Sequence, residues 1–343
     1  MKYILILLSF ISFTAFAQTD KEIAMEKALQ AIKLMDDGQI DESIVLLKES
    51  EQLDPGNFDI AYEIAFAYYL KEDYKLALDV VERVKDYKNT NYQLYQIWGN
   101  LLDLMDKPEE AIAKYDEGLK IYPEKGALYL EKGVVLESTG KYSEALNSYQ
   151  LGIDANPEYP SNYYRAANLF LNSTNKVPGL IYGEIFLNME RTTERSLEMS
   201  KSLYDAYKSS IIVEGEKIEL KFCDVIIDAD KFVKDKRLPF CMIFAKNFLP
   251  AIKGVNEFNL AGLVKIRREF LKSYYEGDYK DYPNFLIDYL KKVDDQKLFD
   301  TYNYYFFQMG SEDEFDEWLS SHQEDFNAFR DWYTNPENIL YRV

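Results

Sequence analysis

Small and large apolar positions recur along the first half of the chain with a period of thirty-four residues. Stepping from Ala111 gives Ser43, Ala77, Ala111 and Ala145, set in "DESIVLL", "KLALDVV", "EEAIAKY" and "SEALNSY". Stepping from Gly99 gives Ala31, Ala65, Gly99, Gly133 and Ala167, all small. The large positions Leu47, Val81, Tyr115 and Tyr149 keep the same register, as do Pro55, Asn89, Pro123 and Pro157. This pattern predicts one helical hairpin per repeat. A first helix carries the small residue, a tight turn follows near Gly38, Glu72, Asp106 or Gly140, and a second helix is closed off near the proline, which cannot continue it. Small side chains let the two axes approach, and Leu102 and Tyr115 fill the space between hairpins. Pro108 falls in the first turn of its helix, where a missing N–H costs little.

The copies are 24–57, 58–91, 92–125 and 126–159. A fifth unit, 160–191, keeps its first helix ("NYYRAANLFLNS") and then drifts, with Gly179 at the alanine position, Pro178 beside it and Arg191 in place of the closing proline. From Thr192 the register is lost. A helix capped by Thr192 or Thr193 is expected next. In "IIVEGEKIELKF" the period changes to two, and Ile218, Leu220 and Phe222 alternate with charges, so a β-hairpin near 211–222 is predicted. Helical spacing returns after about residue 237, with Leu260, Leu263, Ile266, Phe270 and Tyr274 on one stripe.

The succession of large, small, aromatic, alanine, aromatic and proline at this period resembles the tetratricopeptide repeat, best in "YLEKGVVLESTGKYSEALNSYQLGIDANP". Ala61, Ser43 and Asn89 depart from the family's preferences. The resemblance implies an all-α, right-handed superhelical solenoid over 18–191, followed by a helical C-terminal domain over 192–343 that carries the hairpin. It also implies a concave groove lined by the first helices. Carried over position by position, the lining is Asp59, Tyr62, Phe66 and Tyr69; Gln93, Gln96, Asn100 and Asp103; Ala127, Leu130, Val134 and Glu137; Ser161, Tyr164, Asn168 and Leu171. None is Lys or Arg, which disfavours the acidic chaperone tails that some family members clamp. The groove suits a neutral or basic peptide, although Tyr62, Phe66 and Tyr69 are equally compatible with packing against neighbouring repeats.

At the N-terminus, Lys2, the apolar run Tyr3 to Phe13 and Ala15-Phe16-Ala17 read as an export signal cleaved after residue 17. A periplasmic or extracellular protein is expected, without stable membrane insertion once the signal is removed. The chain's formal charge of −19 excludes a basic footprint for nucleic acid. Cys223 and Cys241 are compatible with a disulfide or with two buried thiols. No phosphate loop, nucleophile elbow or metal-ligand spacing is present, and the one histidine, His322, sits in a surface-like "SSHQED". No catalytic residue, metal or cofactor is therefore assigned. The chain reads as an interaction scaffold, and much of residues 192–343 reads as a cover for the end of the solenoid. The alternative is a glycan-binding or glycan-processing protein that uses the aromatic, acidic C-terminal half.

Overall fold

The computed structural model describes residues 19–214, 217–224, 237–252 and 258–340. The proposed signal segment, 1–17, and the centre of the hairpin turn, 215–216, lie outside them. The fold is all-α, with seventeen α-helices among the described residues and one two-stranded antiparallel sheet. Two compact units are formed, up to Gly118 and from Leu119 onward, and the division falls inside a helix rather than at the sequence boundary near 191.

In the first unit the hairpins are α1 (Asp20–Asp36) with α2 (Ile40–Leu53), and α3 (Phe58–Leu70) with α4 (Tyr74–Val84). They are followed by α5 (Tyr92–Leu104) and α6 (Pro108–Ile121), which crosses the division. Helix starts are set by side-chain caps. Thr19 and Glu22 form a capping box, and Asn57, Asp73 and Asn91 accept from the backbone N–H groups of Asp59, Leu76 and Gln93. The turns inside the hairpins repeat as faithfully as the sequence. Gly38, Glu72, Asp106 and Gly140 all have positive φ, at 77°, 63°, 61° and 77°. In each, the next N–H reaches back to a carbonyl five residues earlier. Gln39 donates to Leu34, Asp73 to Tyr68, Lys107 to Leu102 and Lys141 to Leu136, at 2.8–2.9 Å. This is the Schellman closure, and it stops each first helix at the same point.

The recurrent small residues are buried as the period requires, Ala31, Ala65, Ala77 and Ala111 among them. A Cβ on Gly99 would fall within 2.8 Å of three atoms of the Tyr115 ring, so only glycine admits tyrosine across that hairpin. Gly133 and Tyr149 repeat the arrangement in the second unit. Ser43, at an alanine position, is fully buried, and its hydroxyl has no hydrogen-bond partner.

The second unit continues with α7 (Gly126–Ser138) and α8 (Tyr142–Ala155), then α9 (Pro160–Leu171) and α10 (Val177–Met189). The fifth repeat is therefore a complete hairpin. Its glycine at 179 brings the helices very close, since a Cβ there would meet the Leu171 backbone N at 2.8 Å. Helix α11 (Glu194–Ser210) is capped by Thr193 and begins thirty-four residues after α9. It packs on α9 and α10 as α9 packs on α7 and α8, taking the place of a sixth first helix. The 34-residue spacing thus extends one helix past the point where the residue pattern is lost.

Strands β1 (Ile211–Glu214) and β2 (Lys217–Leu220) pair with Ile211 opposite Leu220 and Glu214 opposite Lys217. Phe222 is buried among Tyr207, Phe244 and Phe248, whereas Ile218 is exposed. The Cys223–Cys241 disulfide joins the end of the hairpin to α12 (Phe240–Ile252), with Cα atoms 6.2 Å apart. This resolves the alternative that the sequence left open. Helices α13 (Leu260–Gly277), α14 (Phe285–Asp295), α15 (Phe299–Phe306), α16 (Glu312–Ser321) and α17 (Gln323–Tyr333) complete the unit. The expected stripe of α13, Leu260 to Tyr274, is buried.

Helix α10 explains why the repeat pattern fades in the fifth unit. It is buried along nearly its whole length, so it cannot keep the polar outer face of an ordinary second helix. Glu184 on α10 accepts from Arg267 Nη2 of α13 at 2.7 and 2.9 Å and from Tyr302 Oη at 3.0 Å. Asn188 donates to the same Tyr302, and Tyr333 Oη donates to the Leu187 carbonyl. The C-terminal helices therefore close over the fifth hairpin through a buried, paired charge.

Candidate functional site

In the first unit, α1, α3 and α5 pack side by side, which places equivalent positions of successive first helices in rows. On α3, Tyr62, Phe66 and Tyr69 follow the helical repeat and form a ladder of nearly parallel rings. Tyr62 and Phe66 have centroids 6.3 Å apart and planes 4° apart; for Phe66 and Tyr69 the values are 5.9 Å and 11°. All three are half-buried and lie against the core, so each ring gives one part to packing and keeps another accessible. Packing of these aromatics is thus observed, and their partial exposure is compatible with lining.

On α5 the corresponding row is Gln93, Gln96, Asn100 and Asp103, all half-buried. Asn100 Oδ1 accepts from Tyr115 Oη at 2.6 Å, so part of this side chain serves the hairpin itself. Beside the row, the Lys114 ammonium lies over the Trp98 ring, 4.1 Å from its centroid. The acids of this face are electrostatically strained. Burial, and after it Asp59 and Asp36, raise the Glu63 carboxyl above its ordinary range. Burial and Asp106 do the same to Asp103.

The remaining candidates stand in the second unit and are more heavily engaged. Glu137 accepts from Tyr149 Oη at 2.7 Å and lies 4.0 Å from Arg165. Burial and Glu137 together push the Tyr149 phenol far up. Tyr164 Oη donates to Glu198 at 2.9 Å, and the backbone carbonyl of Asn168 accepts from Asn172. Above Tyr164 lies a cation that the sequence row did not contain. Arg195 of α11 sits 5.4 Å from the Tyr164 ring centroid and donates to Ser161 Oγ at 3.1 Å. It also grips both carboxylate oxygens of Glu190. Arg195 is Ser161 plus one period, so extending the count one step further would have found it. Because α11 occupies the next first-helix place, a cation stands beside the expected row of the second unit, although none of the residues in that row is Lys or Arg.

Clefts lie among the helices of the second unit, and two of them bear on the glycan reading. One is lined by Tyr163, Tyr182, Ile185, Pro283 and Phe285. The other lies against Arg268, Lys272, Tyr275, Lys291 and Asp294, with Arg268 paired to Asp294 at 2.5 Å. Its carboxylates are Glu269 and Glu276, two turns apart on α13, and Asp294 on α14, which is held by Arg268. Among the described residues, no three His, Cys, Asp or Glu side chains are grouped to hold a metal, and no helix is long and apolar enough to cross a membrane.

Residues 34–96 match the family model described as tetratricopeptide repeat. No curated protein matches the chain. Among solved structures, PilF of Pseudomonas aeruginosa is similar at 20% identity and a TM-score of 0.47, over 55% of this chain and 86% of that one. A thermophilic tetratricopeptide protein of Thermus thermophilus is similar at 14% identity and a TM-score of 0.45, over 52% and 98%. YrrB, described as a tetratricopeptide protein with an unusual peptide-binding site, is similar at 18% identity and a TM-score of 0.37, over 52% and 92%.

Proposed function

We propose that this chain, a tetratricopeptide repeat protein through its N-terminal hairpins, is a non-catalytic scaffold. In this reading it holds a neutral or basic peptide or protein segment on its concave first-helix face. The repeat is an architecture of interaction surfaces, and its residues are chosen for geometry rather than for reactivity. The observation that carries the reading is the ladder Tyr62, Phe66 and Tyr69 beside the amides of Gln93, Gln96 and Asn100. Rigid aromatic rings supply contact area at small entropic cost, and amides pair with a peptide backbone. Glu137, Tyr164 and Asn168 belong to the second unit and are assigned to the lining there.

The working compartment in this proposal is the periplasm or the outside of the cell, after cleavage following residue 17. The Cys223–Cys241 disulfide supports an oxidising environment. Nucleic acid is disfavoured by the formal charge of −19. The test is capture from the native envelope fraction on immobilised wild type, compared with Tyr62→Ala and Gln93→Ala variants of unchanged circular dichroism. A partner that is retained by wild type and lost from both variants supports the proposal. The same partners retained equally by all three would refute it.

A further inference from the structure

Charge pairing in the first unit is one-sided. Lys27 pairs with Glu49, Lys71 with Asp41, Arg83 with Glu51 and Lys114 with Glu117; all four carboxylates stand on the second helices α2 and α6. Lys107–Glu110 follows the same rule, and Lys21–Asp54 uses the residue that closes α2. The first helices α3 and α5 carry no Lys or Arg at all. Their carboxylates Asp59, Glu63 and Asp103 have no cationic partner among the described residues, although Glu63 and Asp103 are half-buried. Like charges held together with burial and without a counter-ion are stabilised by whatever brings one.

We propose that the α3–α5 face takes an extended segment in which two cationic side chains, four residues apart, flank an apolar one. This rests on the reading of that face as the binding surface. Asp59 and Glu63 stand in the first half of α3, beside Tyr62. Asp103 stands in the last turn of α5, at the position that Tyr69 occupies on α3. Glu63 is six helical positions from that level, about 9 Å along the axis at 1.5 Å per residue, and the side-by-side helices add a lateral step of about 8–10 Å, so the two carboxylates stand about 12–13 Å apart. An extended chain covers that span in about four residues at roughly 3.3 Å each. Its side chains at i, i+2 and i+4 point the same way. The outer two meet the carboxylates, and the middle one meets the Phe66 region of the ladder. A helical ligand would need about eight residues for the same span, so cations four residues apart reach both levels only in an extended segment.

The test is fluorescence anisotropy with the full chain and labelled peptides at low and physiological salt. The central probe is lysine–serine–leucine–serine–lysine with neutral flanks. Its controls are an isomer with adjacent lysines and a version with glutamate in place of lysine. The spaced peptide should bind roughly threefold to tenfold tighter than the isomer. Glu63→Gln and Asp103→Asn should each erase much of that preference, and added salt should shrink it. Both substitutions remove like-charge repulsion and so do not threaten the fold. Equal binding of both isomers, lost in Tyr62→Ala, would sink the cation spacing and leave the surface intact. Binding of the spaced peptide that survives Tyr62→Ala, or no binding by any peptide, would overturn both.

Discussion

Gly99 and Tyr115 offer a direct measurement of the rule that builds the hairpins. Across the repeats the small residue and its partner sixteen positions later change together: Ala31 with Leu47, Ala65 with Val81, Gly99 with Tyr115 and Gly133 with Tyr149. Glycine appears where the partner is tyrosine. In Gly99→Ala the new methyl collides with the face of Tyr115, which is fully buried and tied to Asn100 by a 2.6 Å hydrogen bond, and so cannot move aside cheaply. Overpacking costs about 1–3 kcal/mol, and replacing a mid-helix glycine returns about 1 kcal/mol. The expected net loss is about 0–2 kcal/mol. Tyr115→Leu alone removes ring contacts and the hydrogen bond and should cost about 2–3 kcal/mol. The double variant recreates the Ala31–Leu47 pair, with the added methyl occupying space that the ring vacated. It should therefore be more stable than the sum of the singles by about 1 kcal/mol or more. Native-state hydrogen exchange over peptides spanning 92–121 reads the local free energy without assuming that the whole chain unfolds in one step. Coupling below about 0.5 kcal/mol would refute the close-approach account.

Other expectations follow from single observations. Ser43→Ala should stabilise the first hairpin by about 1 kcal/mol, because it removes a buried hydroxyl without a partner; a lower denaturation midpoint would contradict this. Glu63→Gln should be more stable than wild type at neutral pH. The folded pKa of Glu63 is raised, so the folded state binds the proton more tightly, and wild type loses stability as pH rises through the interval above the ordinary value of 4.5. The advantage of Glu63→Gln should close as pH falls below that value, and a difference that instead widens in acid would count against the burial of Glu63. Reducing the Cys223–Cys241 bond, which closes a separation of 18 residues, should destabilise the second unit by about 3 kcal/mol. Thermal unfolding with and without reductant measures this, and a Cys223→Ser/Cys241→Ser variant should no longer respond to reductant.

Much of the fold was legible before any coordinates because its constraints are local or nearly so. A left-handed turn residue, a cap and a methyl-sized gap between adjacent helices each leave a mark at a defined distance along the chain. The period exposed the turns at Gly38, Glu72, Asp106 and Gly140, and two-residue alternation exposed the hairpin near 211–222; that Tyr115 packs on Gly99 of its own hairpin, where the sequence placed it between hairpins, took the structure to find. The aromatic row Tyr62, Phe66 and Tyr69 was legible for the same reason, since one helix face follows from spacing alone.

Sequence alone therefore determined the helical-hairpin repeat unit and the turns that close its first helices. Tertiary structure decided everything that depends on desolvation between distant residues. Arg267 reaches Glu184 across 83 positions, and no local pattern announces that α10 will be enclosed on all sides. The thirty-four-residue spacing continued into α11 after its residue signature had gone, because the preceding helices impose a place that many sequences can fill. The pairing of Cys223 with Cys241 was also decided by where α12 packs, not by their separation. The clearest case is the charge pattern of the first unit. Carboxylates are abundant along the chain, and only packing shows that Asp41, Glu49 and Glu51 on α2 and Glu117 on α6 are paired with cations while Asp59, Glu63 and Asp103 are not.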